Sequence, residues 1–112
     1  MTLKSLLSTE VIFAYKPKPA EISVICRGLS FLLGAGVQLP QAIDIVAEYA
    51  NKNMRKTLMG IKAQITRGDS LYAALLQSEL PKIIAGMCRA GFETGGLSSI
   101  LSTLASYFER EE

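Results

Sequence analysis

Apolar residues recur at helical spacing along this 112-residue chain, and glycine or proline punctuates the joins between them. That combination confines the fold to short helices that turn back on one another. The stretch Gly91-Phe92-Glu93-Thr94-Gly95-Gly96-Leu97 shows it best. Leu97, Ile100, Leu101, Leu104 and Phe108 follow at helical spacing and line one face of a last helix. Thr94 is placed to cap that helix by accepting a backbone N–H from its first turn. Gly91 is placed to end the preceding helix, because it lacks the Cβ that penalises a left-handed backbone. Gly95 and Gly96 allow a sharp turn or a close approach of two helices.

Taken from the start, residues 1–15 are mixed, with Leu3, Leu6 and Leu7 able to form one amphipathic turn. Lys16-Pro17-Lys18-Pro19 is a stiff, basic break, and Pro19 suits the first turn of a helix. A first helix over about 19–33 carries the stripe Ile22, Ile25, Cys26, Leu29, Leu32 and Leu33. Val24 and Phe31 widen that stripe and predict a central, largely buried helix ended by Gly34 and Gly36. Pro40 opens a second helix whose inner face is Leu39, Ile43, Val46, Ala47 and Ala50. A third starts near Asn51 and points Met54, Leu58, Ile61 and Ile65 inward. Gly68 ends it, and Asp69 or Ser70 caps a short fourth helix with Leu71, Ala74 and Leu75 facing in. Pro81 begins the fifth, with the stripe Leu80, Ile84, Met87 and Cys88. No strand pattern competes, so the prediction is an all-α bundle of six antiparallel helices. Residues 1–18 form an extension and 19–112 the helical domain. The similar triplets Ala35-Gly36-Val37 and Ala90-Gly91-Phe92 hint at a doubled helical unit.

Composition narrows the function. A hydrophobic content of 49% with four prolines excludes a disordered chain, and this length can bury a core without disulfides or metal. A mean hydropathy of +0.28 suggests either apolar surface kept for a partner or a dense core. The net charge of +2 is too small to argue for nucleic acid. Cys26 and Cys88 fall within apolar stripes and read as small buried hydrophobes of a reducing compartment. The chain has no histidine, which removes the commonest general base and metal ligand together. No stretch reaches the ~18 apolar residues of a membrane-spanning helix. Residues 1–15 do not make a convincing signal peptide.

Candidate chemistry is thin. No activated nucleophile beside a base can be read, and neither a P-loop nor a dinucleotide glycine fingerprint is present. Asp44, Glu48, Asp69 and Glu93 could meet in space as glycosidase-like paired carboxylates, although nothing in their spacing selects them. Acids converging in a pocket would also suit a helical enzyme with a carboxylate-bound cation. Lys52, Arg55, Lys56, Lys62 and Arg67 give the third helix a basic stripe. It suits anionic lipid headgroups, an acidic partner or, as a helical nucleic-acid module, a phosphate backbone. The lack of interleaved aromatics weighs against single-stranded nucleic acid.

Three segments in order carry a resemblance. Leu29 to Leu39 reads L-x-x-L-L-x-A-G-V-x-L around Gly36, Gly68 to Leu75 reads G-x-S-L-x-x-A-L, and Gly91 to Leu101 contains Gly91, Thr94, Gly95 and Leu97. Together they resemble the type II secretion F domain, the cytoplasmic domain of inner-membrane platform proteins of type II secretion and type IV pilus assembly. The resemblance covers about residues 19–110. It implies six antiparallel helices, no catalysis and no cofactor, and no residue is assigned as a metal ligand. The glycines, Thr94 and Leu97 would be structural motif residues. It also implies a scaffold at the cytoplasmic face of the inner membrane that couples an assembly ATPase to pilin or pseudopilin polymerisation, in a self-associating, membrane-embedded full-length protein. On that view an apolar segment of ~20 residues follows residue 112. One position departs from the family: Phe92 stands where a glutamate is usual, with the acid displaced to Glu93. The cation binding reported for some members is therefore not carried over.

Overall fold

A computed structural model describes residues 15–111. The expected leucine turn at Leu3, Leu6 and Leu7 lies outside them. Six helices follow one another: α1 Pro19–Gly34, α2 Leu39–Glu48, α3 Lys52–Thr66, α4 Leu71–Leu76, α5 Lys82–Thr94 and α6 Leu97–Glu109. There is no strand among the described residues. Each helix packs on its neighbour in the chain, and α1 closes the circuit against α6. The α1–α6 contact is the most extensive in the molecule. Its pairings run in opposite directions, Arg27 meeting Ser106 while Ser30 meets Ser98, so the two helices are antiparallel.

Local chemistry explains the helix starts. Pro19 and Pro40 occupy the first turns of α1 and α2, where a missing N–H costs nothing. Asn51 Oδ1 accepts from the Met54 N–H and Ser70 Oγ accepts from the Ala73 N–H, so each caps its helix. Pro81 precedes α5.

Three helices end at a glycine of positive φ: Gly36 at +92°, Gly68 at +107° and Gly95 at +78°. At each corner the glycine N–H and the next N–H fold back onto the last turn. Val37 N reaches the Leu32 carbonyl at 3.0 Å, Asp69 N reaches Gln64 at 3.0 Å and Gly96 N reaches Gly91 at 2.7 Å. Carbonyls that would be orphaned at the helix end are thereby satisfied.

Two expectations at the last corner are corrected. Gly91 does not end α5: it is buried inside the helix, which continues to Thr94. A Cβ on Gly91 would lie 2.6 Å from Ile100 Cγ1 and 3.3 Å from Leu97 Cα, so this glycine lets α6 approach α5. Thr94 does not cap α6 either. Its hydroxyl donates back to the carbonyls of Ala90 at 3.1 Å and Gly91 at 3.3 Å, and Gly96 precedes α6 without a side-chain cap. Gly36 and Gly91 therefore serve different ends, which removes the local basis for a doubled unit.

The core joins all six helices. It contains Ile22, Ile25, Cys26 and Leu29 of α1, Ile43 and Val46 of α2, and Met54, Leu58 and Ile61 of α3. Leu75, Ile84 and Cys88 link it to Leu97, Leu101, Leu104 and Phe108 of α6. Leu32, Leu33, Leu39, Ala50, Ile65, Leu71, Leu80, Met87 and Ile100 pack on it while partly exposed. Val24 and Phe31 are a further correction. They are 54% and 75% exposed, so α1 buries one face only. Ala42, at 0% exposure, is a core residue that spacing alone did not single out.

A void of about 50 Å³, lined only by apolar side chains and the two cysteines, remains at the centre. Such a space stays dry. Cys26 and Cys88 are both buried and unbridged. Burial raises the Cys26 thiol to about 12 and the Cys88 thiol to about 11, because a thiolate there would lose its water.

Candidate interaction surface

The α1–α6 seam is built from small polar residues. Ser30 Oγ donates to the Ser98 carbonyl at 2.7 Å, and Ser98 Oγ donates to the Ser30 carbonyl at 2.7 Å. Arg27 extends the seam, donating to Ser102 Oγ and Ser106 Oγ at 3.3 Å each and pairing with Glu109. Ser98, Ser102 and Ser106 leave room for α1 to lie close, and each of the three finds a partner across the interface. Spacing did not reveal this seam, since serine on a helix reads as an outer-face residue.

The basic stripe of α3 is largely consumed by the fold. Arg55 caps the end of α2, its Nε donating to the Ala47 carbonyl at 2.9 Å and its Nη2 to the Glu48 and Ala50 carbonyls at 3.3 and 3.2 Å. A cation there also suits the negative end of the α2 dipole. Lys62 donates to both Asp44 carboxylate oxygens at 2.8 Å, and Arg67 pairs with Asp69 at 2.9 Å. Lys52 and Lys56 remain exposed and face solvent.

The four carboxylates proposed for a cation are dispersed. Asp44 is held by Lys62, Asp69 by Arg67 and Glu93 by Arg89 at 3.6 Å, while Glu48 lies exposed on α2. Among the described residues no three acidic or cysteine side chains gather at a distance fit for a metal. Asp69 and Glu93 share one open groove with Leu39, Pro40, Ile65, Tyr72 and Phe92. Phe92 is 59% exposed, and Arg89 stacks on the Tyr72 ring with 4.8 Å to its centroid. The Phe92 ring thus adds apolar surface where a carboxylate would have added charge.

A second groove runs between α3 and the segment after α4. It has a volume of about 330 Å³ and is lined by Tyr15, Asn53, Lys56, Thr57, Gly60, Gln64, Gln77, Ser78 and Glu79 among others. Thr57, buried on α3, donates to Glu79 Oε2 at 2.9 Å and ties the two walls together. Tyr15 donates to Glu21 at 3.5 Å. Its phenol is pushed up to about 12, first by burial and then by the charge of Glu21. Gly60 sits in the middle of α3, and no described residue comes within 4 Å of where its Cβ would be. Among the described residues none donates a hydrogen bond to Gln64 Oε1, which is out of water.

Among the described residues no helix is long and apolar enough to cross a membrane. The surface offers contacts of two kinds: exposed apolar side chains, chiefly Phe31 and Phe92, and the polar α3 groove. Rigid helices present both, as a binding module requires.

Comparison with known proteins bears on the same residues. The sequence profile of "Type II secretion system (T2SS), protein F" matches residues 25–112. The type IV pilus assembly protein PilC of Pseudomonas aeruginosa is 34% identical over 100 residues, covering 87% of this chain and 27% of that protein. PilC of Thermus thermophilus is 31% identical over 103 residues, covering 89% of this chain and 25% of that protein. The type II secretion system protein F of Vibrio cholerae is 29% identical over 115 residues, covering 98% of this chain and 28% of that protein. The chain thus spans about a quarter of the length of these relatives. With a match through the core helices and all three glycine corners, the chain belongs to the protein F family of type II secretion and type IV pilus assembly.

Proposed function

We propose that this chain is a cytoplasmic scaffold domain of the inner-membrane platform of a type IV pilus or type II secretion machine. Residues 19–112 are the domain and residues 1–18 an extension. The domain binds the assembly ATPase and passes its work to the parts that polymerise pilin or pseudopilin. It associates with further copies of itself and with other platform proteins, and it performs no catalysis. The observation that carries this reading is the family match across residues 25–112, together with relatives whose names place them in pilus assembly and type II secretion. The physical character of the surface supports it: apolar side chains exposed on a closed circuit of helices offer contacts without a reaction centre. Nothing in the proposal requires a cation, because Phe92 takes the position at which the family usually has glutamate.

The test is co-purification of the tagged chain with the products of its neighbouring genes. Retention of the assembly ATPase through gel filtration is the expected result. An ATPase that elutes alone at micromolar concentrations of both proteins would count against the proposal. Turnover of any substrate by the purified chain would count against its non-catalytic part.

A further inference from the structure

We propose that two copies of this chain meet through the outer face of α1, the two helices lying antiparallel across a two-fold axis. The make-up of α1 points there first. Between Pro19 and Gly34 its only charges are Glu21 and Arg27. A helix apolar on all sides belongs between two layers, because neither side gains from facing water. The described residues supply one layer only. Val24 is 54% exposed and Phe31 75%, the most exposed of the large apolar side chains described. Val24, Gly28 and Phe31 share one stripe at helical spacing. From α2, Tyr49 lies over Gly28, where a Cβ would collide with its hydroxyl, and Ile45 is exposed one turn before it. On the α6 side the stripe is bounded by the Arg27–Glu109 pair. An apolar strip of this kind, edged by polar groups, marks a contact surface.

Charge and spacing select a second copy as the occupant. The rim carries one cation and one acid, already paired and about half exposed, so it favours neither an acidic nor a basic partner. It does fit its own image. An axis crossing α1 between Arg27 and Gly28 leaves Val24 and Phe31 equally far on either side. Each Phe31 then lies on Val24 of the second copy, an aromatic anchor used twice. The same axis sets the two Arg27–Glu109 pairs side by side, so each guanidinium gains a second carboxylate. An ion pair this exposed holds little within one chain and is free to be shared.

This inference rests on the self-association in the proposed role and gives it a place. The test is sedimentation of the 112-residue chain from micromolar to millimolar concentration, with thermal melts at both ends. A dimer is expected, with a melting temperature that rises with concentration. Phe31→Ser should weaken it about tenfold or more and leave the melting of the dilute chain unchanged, since serine and phenylalanine have similar helix propensity. Arg27→Glu and Glu109→Arg should each be monomeric alone and dimerise when mixed. Neither variant can form the pair within its own chain, so only contact across the axis gives that result. A mixture that stays monomeric overturns the inference. So does a dilute Phe31→Ser chain that melts lower, which would show that the chain itself covers Phe31. A dimer lost with Phe92→Ser but kept with Phe31→Ser preserves self-association and overturns this face. Phe31-dependent binding of a monomeric chain to phosphatidylglycerol vesicles would assign the face to a membrane and overturn it too. A chain that is monomeric throughout also overturns it, while ATPase retention still decides the scaffold reading.

Discussion

Gly91 and Gly60 both lie inside a helix, yet their surroundings are opposite. Around Gly91 the space is full: Ile100 and the Leu97 backbone occupy the room a side chain would need. Around Gly60 no described residue intrudes, and a polar oxygen nearby has no donor among the described residues. The first glycine belongs to a region finished by intramolecular packing, which includes the serine-linked seam of α1 and α6. The second belongs to a region left open. The difference teaches that a glycine's role is set by what lies across from it rather than by the helix that contains it.

Substitutions can break or sharpen that contrast. The largest effect belongs to Leu104→Ala on the closed side. Leu104 is 1% exposed, and its truncation should cost ~2–5 kcal/mol by cavity formation, read from urea unfolding. An unchanged midpoint would mean that α6 faces the core differently. Next comes Gly91→Ala, which should destabilise by ~1–3 kcal/mol because Ile100 and Leu97 must give way. Ser30→Ala should cost ~1 kcal/mol by leaving the Ser98 carbonyl short of a donor. A double mutant with Ser98→Ala should be less than additive, since the two hydroxyls share one interface.

Gly60→Ala should act in the opposite sense, raising stability by ~0.5–1 kcal/mol through better helix propensity. Loss of stability there would show that the open groove is filled within the chain. At neutral pH the final contrast is nil, and it grows with alkalinity. The core thiols ordinarily ionise near 9 but are raised to about 12 and about 11 in the fold. Above pH 9 the unfolded chain therefore releases protons that the folded chain keeps. Stability should fall as pH rises from 9 towards 12, and Cys26→Ala should flatten that fall.

Much of this architecture could be read from residue order. Helix starts follow from Pro19, Pro40, Asn51 and Ser70, whose effects are local. Apolar spacing picked out Met54, Leu58, Ile61, Leu101 and Leu104, because a stripe of large side chains has one sensible destination. What escaped depends on contacts distant in the chain. Gly91 and Gly95 are indistinguishable until Ile100 is seen against one of them. Phe31 extends an apolar run but points away from the core, because α6 approaches α1 on its serine-bearing side. Arg55, read as part of a basic stripe, is engaged by carbonyls that exist only where α2 ends. The α3 groove left no mark, since neither an unpaired carbonyl nor an empty volume has a sequence pattern.

Closing the circuit with an antiparallel α1–α6 pair has a mechanical consequence. The beginning of α1 and the end of α6 point to the same pole, and the Arg27–Glu109 ion pair ties the end of α6 to the middle of α1. Tension applied through those two ends would peel the helices apart one contact after another, starting with a half-exposed ion pair that resists little. A strut loaded along its length would instead share the strain over the whole seam. Under the proposed scaffold role, motion would therefore travel by pushing on the domain's faces, as a cam does, and not by pulling on its polypeptide like a rope.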